Sequence, residues 1–326
     1  MKTIGFIISD KESEKRRAAL PSDLAKNVHN LDFVYIEKNY GKVLGLSDDE
    51  YRRIGCHVVS RKEVMKQDIL CDPKVGDAKY LRKITNKTVF GWIHAVQNKE
   101  ISDAIVDGRN TGIAWENMFE SDKHTFYRNN QLAGEAACLH AFIHHGSLPA
   151  GKKVALLGFG NVAHGAYDVL TALGAKVDIY RRNQEQEFKD NIANYDVIVN
   201  GILWDVKRTD HIIYKTDLKR MKPNCLIIDI SCDRHGGIES SIPTTIENPI
   251  YVVDGVTHYA VDHTPTLVYR EASASISKAI APFLDQLIEG KFGEVLKQAL
   301  IIDRGKIIDK RIIEFQASHR KSESSK

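Results

Sequence analysis

The sequence predicts an α/β protein of two Rossmann-like domains, with mostly parallel sheets and an interdomain cleft. Three observations lead there. Short β-branched runs alternate with charged, helix-like segments, the pattern of parallel strands covered on both faces. A complete strand–turn–helix–strand unit of about thirty residues occupies Lys152–Arg182. The 326 residues also exceed what one core usually organises.

In chain order, Thr3–Ile8, Phe33–Glu37, His57–Val59, Ile69–Cys71, Thr88–Phe90 and Thr111–Ala114 read as strands of the first sheet. Leu132–His145 is an Ala-rich helix, and Gly146, Pro149 and Gly151 punctuate the junction after it. The central unit follows: strand Val154–Leu157, a glycine turn, a helix from about Ala163 to Leu173 stopped by Gly174, and strand Lys176–Tyr180. Val197–Ile202, Cys225–Ile230 and Tyr251–Asp254 read as further buried strands. A helix over Ser273–Ile288, with Gly290 behind it, carries the chain back to the first domain. The domains are therefore expected at 1–127 plus 273–326 and at 128–272. The charged, Ser-rich tail Ser318–Lys326 is expected to be disordered.

Composition narrows the partners. Against 43 acidic residues stand 46 basic ones, a net charge of +3, which calls for neither nucleic acid nor an anionic membrane. No apolar run is long enough to span a bilayer. The first residues read as a strand and not as a signal peptide. The five cysteines are scattered without a CxxC, which suits reduced thiols in the cytoplasm.

The turn Gly158-Phe159-Gly160-Asn161-Val162-Ala163 is the dinucleotide fingerprint in its proper setting. Gly158 permits the sharp turn, Gly160 lets a pyrophosphate approach, and Ala163 stands for the third glycine. The phosphates would rest on the free N–H groups at the helix start. The second strand ends Tyr180-Arg181-Arg182, where an NAD-binding fold places a carboxylate for the ribose 2′-hydroxyl. Two guanidiniums there would bind a 2′-phosphate, so the expected cofactor is NADPH/NADP. Asp178 lies too early to serve the ribose. Gly201, Ile202 and Leu203 follow the next strand and are expected beside the nicotinamide, with Trp204 after them.

Several ordered motifs then carry a resemblance. Glu14-Lys15-Arg16-Arg17-Ala18-Ala19-Leu20-Pro21, Gly45-Leu46-Ser47-Asp48-Asp49-Glu50-Tyr51, Lys74-Val75, Trp92-Ile93-His94, Asp229-Ile230-Ser231-Cys232-Asp233 and Pro243-Thr244-Thr245 occur in sequence. Over most of residues 1–290 the chain resembles the alanine dehydrogenase/saccharopine dehydrogenase superfamily. Within it, Trp115-Glu116-Asn117-Met118 and Asp262-His263-Thr264-Pro265 look more like the carboxyethyl-amino-acid synthases. Alanine dehydrogenases carry Asp where Arg181 stands and Asn-Met-Pro where His263-Thr264-Pro265 stands.

The resemblance implies an oxidoreductase that condenses pyruvate with the side-chain amine of ornithine or lysine and reduces the imine, working as a homotetramer. That reaction needs a carboxylate anchor, proton donors and a hydride source. Arg16 is the expected anchor for pyruvate, since a guanidinium grips a carboxylate bidentately. Lys74 follows a strand end, where partial burial makes a lysine a usable acid or base. His94 also follows a strand, with an ordinary pKa suited to proton transfer. Asp233 is expected to orient a catalytic group or stabilise the iminium, with Asp229 a competing choice. Asp262 is expected to meet the α-ammonium of the amino acid. Each has a plainer reading: a charged loop with Lys15 and Arg17, a surface lysine, a satisfied histidine, an Asp turn before Gly236-Gly237. His140 and His144 stand four apart on a helix beside His145, yet no carboxylate or cysteine completes a set, so no metal is expected. Alanine dehydrogenase, saccharopine dehydrogenase and a non-catalytic NADPH-binding sensor are the alternatives.

Overall fold

A computed structural model describes residues 1–205, 208–232 and 236–315. It divides into two compact units: Met1–Phe126 with the chain from Tyr269 onward, and Tyr127–Val268. The first unit opens with strands β1 (Ile4–Phe6), β2 (Val34–Glu37), β3 (His57–Val59), β4 (Ile69–Cys71), β5 (Thr88–Gly91) and β6 (Thr111–Ala114), then a hairpin of β7 (Phe119–Glu120) and β8 (Lys123–His124). The second holds β9 (Lys153–Leu157), β10 (Lys176–Tyr180), β11 (Val197–Asn200), β12 (Leu226–Asp229), β13 (Ile250–Val253) and β14 (Val256–Tyr259). The helix Tyr269–Glu289 re-enters the first unit and leads to β15 (Leu300–Asp303) and β16 (Lys306–Ile307).

The first sheet runs β16-β15-β6-β5-β4-β1-β2-β3. β1 to β6 are parallel, in the doubly wound order 3-2-1-4-5-6. The order reverses between β1 and β4. One apolar cluster, including Ile4, Phe6, Ile36, Phe90 and Trp115, takes up helix residues Ile276, Ile280, Leu284 and Leu287. Another, including Leu70, Val89, Ile93 and Ile105, forms separately. The second sheet runs β10-β9-β11-β12-β14-β13, parallel except for β13 against β14. It too has two apolar clusters, one including Leu157, Ile198 and Ile227, the other Leu156, Val199 and Ile228. Alternate residues of the central strands β4, β5, β11 and β12 thus enter different cores, as burial on both faces requires. The expected fold class, two Rossmann-like domains with mostly parallel sheets, holds.

Two parts of the sequence reading need correction. The long helices start earlier than their apolar periodicity, at Tyr127 and Tyr269, because their first turns are polar. β7, β8, β14, β15 and β16 were not anticipated. β14 and β16 each close a two-residue hairpin with left-handed turn residues, Asp254-Gly255 (φ 48° and 78°) and Arg304-Gly305 (φ 46° and 80°). Asp-Gly is itself a hairpin signal, so β14 was readable. The tail Ser318–Lys326 lies outside the described residues.

In the second unit, helices Tyr127–His145 and Asn161–Ala172 meet backbone to backbone. A Cβ on Gly134 would fall 2.0 Å from the Val162 carbonyl oxygen, and one on Gly165 would fall 1.9 Å from that of Gln131. This contact sets the Asn161 end of the second helix at the carboxyl end of β9. No helix among the described residues is long and apolar enough to cross a membrane.

Candidate active site

Parallel strands deliver the loops that follow them to one edge of the sheet, and the reversal of order opens a crevice there. In the first unit those loops carry Glu14 and Arg16 after β1, Asp72, Lys74 and Asp77 after β4, His94 after β5 and Glu116 after β6. Glycines lace two of them together. A Cβ on Gly91 would lie 1.9 Å from the Asp72 carbonyl oxygen, and one on Gly76 would lie 2.2 Å from that of Ile93. The Gly76 N–H donates to the Trp92 carbonyl at 3.1 Å. The Lys74 and His94 loops therefore rest directly on each other.

Arg16 is 3% exposed, with its guanidinium over the Trp92 ring, 5.0 Å from the centroid. Its Nε and Nη2 donate to the two oxygens of Glu14, at 2.8 and 2.6 Å. Burial penalises the Glu14 charge, but the Arg16 charge and hydrogen bonds, helped by Lys74, outweigh it and hold the carboxyl below its ordinary value. The predicted anchor is thus a built ion pair, with one guanidinium edge already taken. Arg17 is structural: Nε donates to the Tyr40 carbonyl at 2.6 Å and Nη1 to that of Arg16 at 2.8 Å.

Lys74 is 7% exposed, its Nζ 3.2 Å from Asp77 Oδ2. Its N–H donates to Asp72 Oδ1 at 2.9 Å, and the Tyr80 hydroxyl donates to Asp72 Oδ2 at 3.0 Å. Asp72 is wholly buried. That burial pushes its carboxyl up to about 6, against the pull of donors from Lys74, Tyr80 and Ser9. His94 is exposed and left-handed (φ 55°), a backbone state costing on the order of 1 kcal/mol outside glycine. Glu116 secures it, accepting the His94 N–H at 2.6 Å and the Ile93 N–H at 3.2 Å. Arg16, Lys74 and His94 thus share one sheet edge. Glu14, Asp72 and Glu116, which sequence reasoning did not single out, hold them there.

In the second unit Gly158 takes φ +100° and donates its N–H to the Tyr180 carbonyl at 2.9 Å. Gly160 caps the Asn161–Ala172 helix with no side-chain cap, and a Cβ there would meet open space. The first-turn N–H groups of Asn161, Val162 and Ala163 therefore suit a diphosphate. A Cβ on Gly201 would lie 3.3 Å from Ala163, which explains the small residue in the third place of the fingerprint. A nicotinamide dinucleotide fits this cradle.

Arg181 and Arg182 are exposed at the end of β10. Tyr180 points into the core at 7% exposure, its hydroxyl 2.5 Å from that of Tyr195, which donates to Asp178 at 2.9 Å. Asp178 is thus engaged away from the turn, and Tyr180 supports the strand end from beneath. After β11, the Ile202 N–H donates to Asn200 at 3.3 Å, and Asn200 donates to the buried Asp229 at 2.9 Å. Burial raises the Asp229 carboxyl although Ser241, Asn200 and Cys232 donate to it. Asp229 therefore braces the Gly201–Leu203 segment, while Leu203 itself is exposed. Asp233 lies outside the described residues. The exposed Asp262 carboxylate bonds Nδ1 of His263. His140 and His144 bring their Nε2 atoms 3.0 Å apart, and His140 Nδ1 meets the Tyr259 hydroxyl at 3.0 Å. Among the described residues no three His, Cys, Asp or Glu gather around a metal position.

Known proteins resemble this chain along most of its length. Residues 8–129 match the family model of the alanine dehydrogenase/PNT N-terminal domain, and residues 180–313 match that of the C-terminal domain. Residues 118–235 match the NAD-binding domain of the D-isomer specific 2-hydroxyacid dehydrogenases. The N(5)-(carboxyethyl)ornithine synthase of Clostridium botulinum is 33% identical over 301 residues, 85% of this chain and 92% of that one. That of Lactococcus lactis is 33% identical over 297 residues, 85% and 94% of the two chains. Alanine dehydrogenase 1 of Staphylococcus aureus is 23% identical over 337 residues, 90% of each chain. Among solved structures, an L-alanine dehydrogenase superposes with a TM-score of 0.83 at 20% identity, covering 97% of this chain and 99% of that one. A Sinorhizobium meliloti transhydrogenase superposes at 0.79 and 18% identity, covering 94% and 100%. Two paired domain matches, with curated relatives alike over nine-tenths of their own length, place the chain in the alanine dehydrogenase/PNT family.

Proposed function

We infer that the protein is an NADPH-dependent oxidoreductase joining pyruvate to the side-chain amine of ornithine, or of lysine, as an N-(1-carboxyethyl) amino acid. The observation that carries this reading is the 33% identity to N(5)-(carboxyethyl)ornithine synthases over 92% of one relative's length, against 23% to alanine dehydrogenase.

Arg16 holds the pyruvate carboxylate together with Lys74. As the amine nitrogen attacks the ketone carbon, Lys74 gives a proton to the developing alkoxide and takes back the one the nitrogen sheds, leaving a carbinolamine. His94 protonates the carbinolamine hydroxyl, so the C–O bond breaks with loss of water and leaves the protonated imine, an iminium. Asp233 stabilises the positive charge at that nitrogen, and Asp262 pairs with the α-ammonium of the amino acid. Gly158, Gly160, Asn161, Val162 and Ala163 hold the cofactor diphosphate, Arg181 and Arg182 hold its 2′-phosphate, and Gly201, Ile202 and Leu203 flank the nicotinamide. When bound, NADPH supplies the hydride that reduces the imine carbon.

We place this chemistry in a cytoplasmic homotetramer, a state that light scattering after gel filtration measures. The reaction is tested by following NADPH consumption with pyruvate and ammonia, ornithine or lysine in turn. Turnover is expected with ornithine or lysine. Strong turnover with ammonia alone overturns the synthase reading in favour of alanine dehydrogenation.

A further inference from the structure

Phe159 is the variable residue of the glycine turn, and phosphate binding asks for no aromatic there. Nor does the core, for the side chain is 44% exposed. Its ring has other company. The Arg181 guanidinium lies 4.5 Å from the ring centroid. The His164 imidazole, on the first turn of the following helix, lies 4.3 Å from it at an interplanar angle of 56°.

Arg181 occupies the first position past β10, where an NAD-binding fold presents its carboxylate to the ribose 2′-hydroxyl. The strand end and the turn are tied by the bond from the Gly158 N–H to the Tyr180 carbonyl, so Phe159 and Arg181 emerge side by side. The Arg181 N–H donates to Gln184 Oε1 at 3.1 Å, which fixes the backbone of the arginine. Among the described residues no carboxylate pairs with its guanidinium, which keeps its full charge for an anion. An exposed arginine samples many rotamers, and every contact it makes must offset the entropy of choosing one. Resting on an aromatic face restricts that choice before any ligand arrives.

We propose that Phe159 sets cofactor choice through Arg181: it is a positioning residue whose ring holds the guanidinium where an adenosine 2′-phosphate binds. This rests on the NADPH reading above and adds the residue that makes the arginine effective. The ring touches the arginine and not the phosphate, so its influence is confined to ligands that carry the 2′-phosphate. It vanishes when the arginine is removed.

The test is a set of binding titrations on the full chain, following NADPH or NADH fluorescence, for wild type, Phe159→Leu, Phe159→Tyr, Arg181→Ala and the Phe159→Leu/Arg181→Ala pair. Melting temperatures verify that each variant is folded. Wild type is expected to prefer NADPH. Phe159→Leu is expected to weaken NADPH binding by about 2- to 5-fold, the range of an exposed cation–ring contact, with NADH unchanged. Phe159→Tyr restores NADPH affinity, and Phe159→Leu has no further effect in the Arg181→Ala background. Equal weakening of both cofactors would mean that the ring supports the turn or the adenosine, and it overturns the proposal, as does no change in either. A wild type that binds NADH as well as NADPH overturns the cofactor reading itself, and the proposal with it.

Discussion

Asp72 combines complete burial with a ring of donors, and both features govern its behaviour with pH. Burial favours the neutral acid and pushes the carboxyl up to about 6 from an ordinary 3.8. Between about pH 4 and 6 the native state therefore holds the proton more tightly than the unfolded chain does. Stability falls as pH rises through that window, and the full penalty is present above it. Asp72→Asn removes this dependence, so its urea unfolding should show a flatter stability profile between pH 4 and 6 than wild type. Above the window the ionised carboxylate accepts the Lys74 N–H and the Tyr80 hydroxyl. Turnover should therefore show an acid limb near pH 6 that moves in the Asn variant. Lys74→Ala and His94→Ala should each lower kcat by about 10²- to 10⁴-fold, the usual contribution of a positioned acid or base. NADPH affinity, measured by fluorescence titration, should stay at the wild-type value. Unchanged turnover in both variants would refute the assigned roles. The placement of Arg16, Lys74 and His94 at one sheet edge was legible because each follows a strand end or a known block. Asp72 and Glu116 were not, because their partners come from loops whose approach no sequence spacing specifies.

Elements show the same division. β3, β4, β6 and β10 begin and end where the sequence reading placed them, because β-branched runs between turn residues leave little choice. The starts of the two long helices were missed by four and five residues, since periodicity reports only the turns that face a core. Close packing is set at this scale by glycine. Gly134 and Gly165 let two helices touch, which fixes the end of the helix proposed to receive the diphosphate. Gly165→Ala places a methyl group 1.9 Å from the Gln131 carbonyl oxygen. Overpacking of this kind costs about 1–3 kcal/mol, so thermal unfolding should show a lowered Tm. NADPH affinity should fall as well, because the helix end moves with the contact. A Gly165→Ala variant with unaltered melting would show that the helices separate without penalty.

Connectivity makes the two units unequal. The second is continuous from Tyr127 to Val268, with its own sheet and clusters on alternate strand residues. Expressed alone, it should fold cooperatively and bind NADPH with near wild-type affinity, which circular dichroism and fluorescence titration check. The first unit is split, and its core needs Ile276, Ile280, Leu284, Leu287 and Ile288 from the returning helix. A chain ended at Phe126 should therefore fail to show a cooperative transition.

Local information alone determined the alternation of strands and helices, the fingerprint at Gly158–Ala163, the arginines past β10 and the fold class, because β-branching, glycine and charge act over a few neighbouring residues. The tertiary structure decided which carboxylates face those groups: Glu14 on Arg16, Asp77 on Lys74, Glu116 beneath His94 and Asp178 on Tyr195. Such pairings depend on distances between loops of different strands. Those distances exist only once the sheet order has formed, since hydrogen bonding and burial act through space and not along the chain.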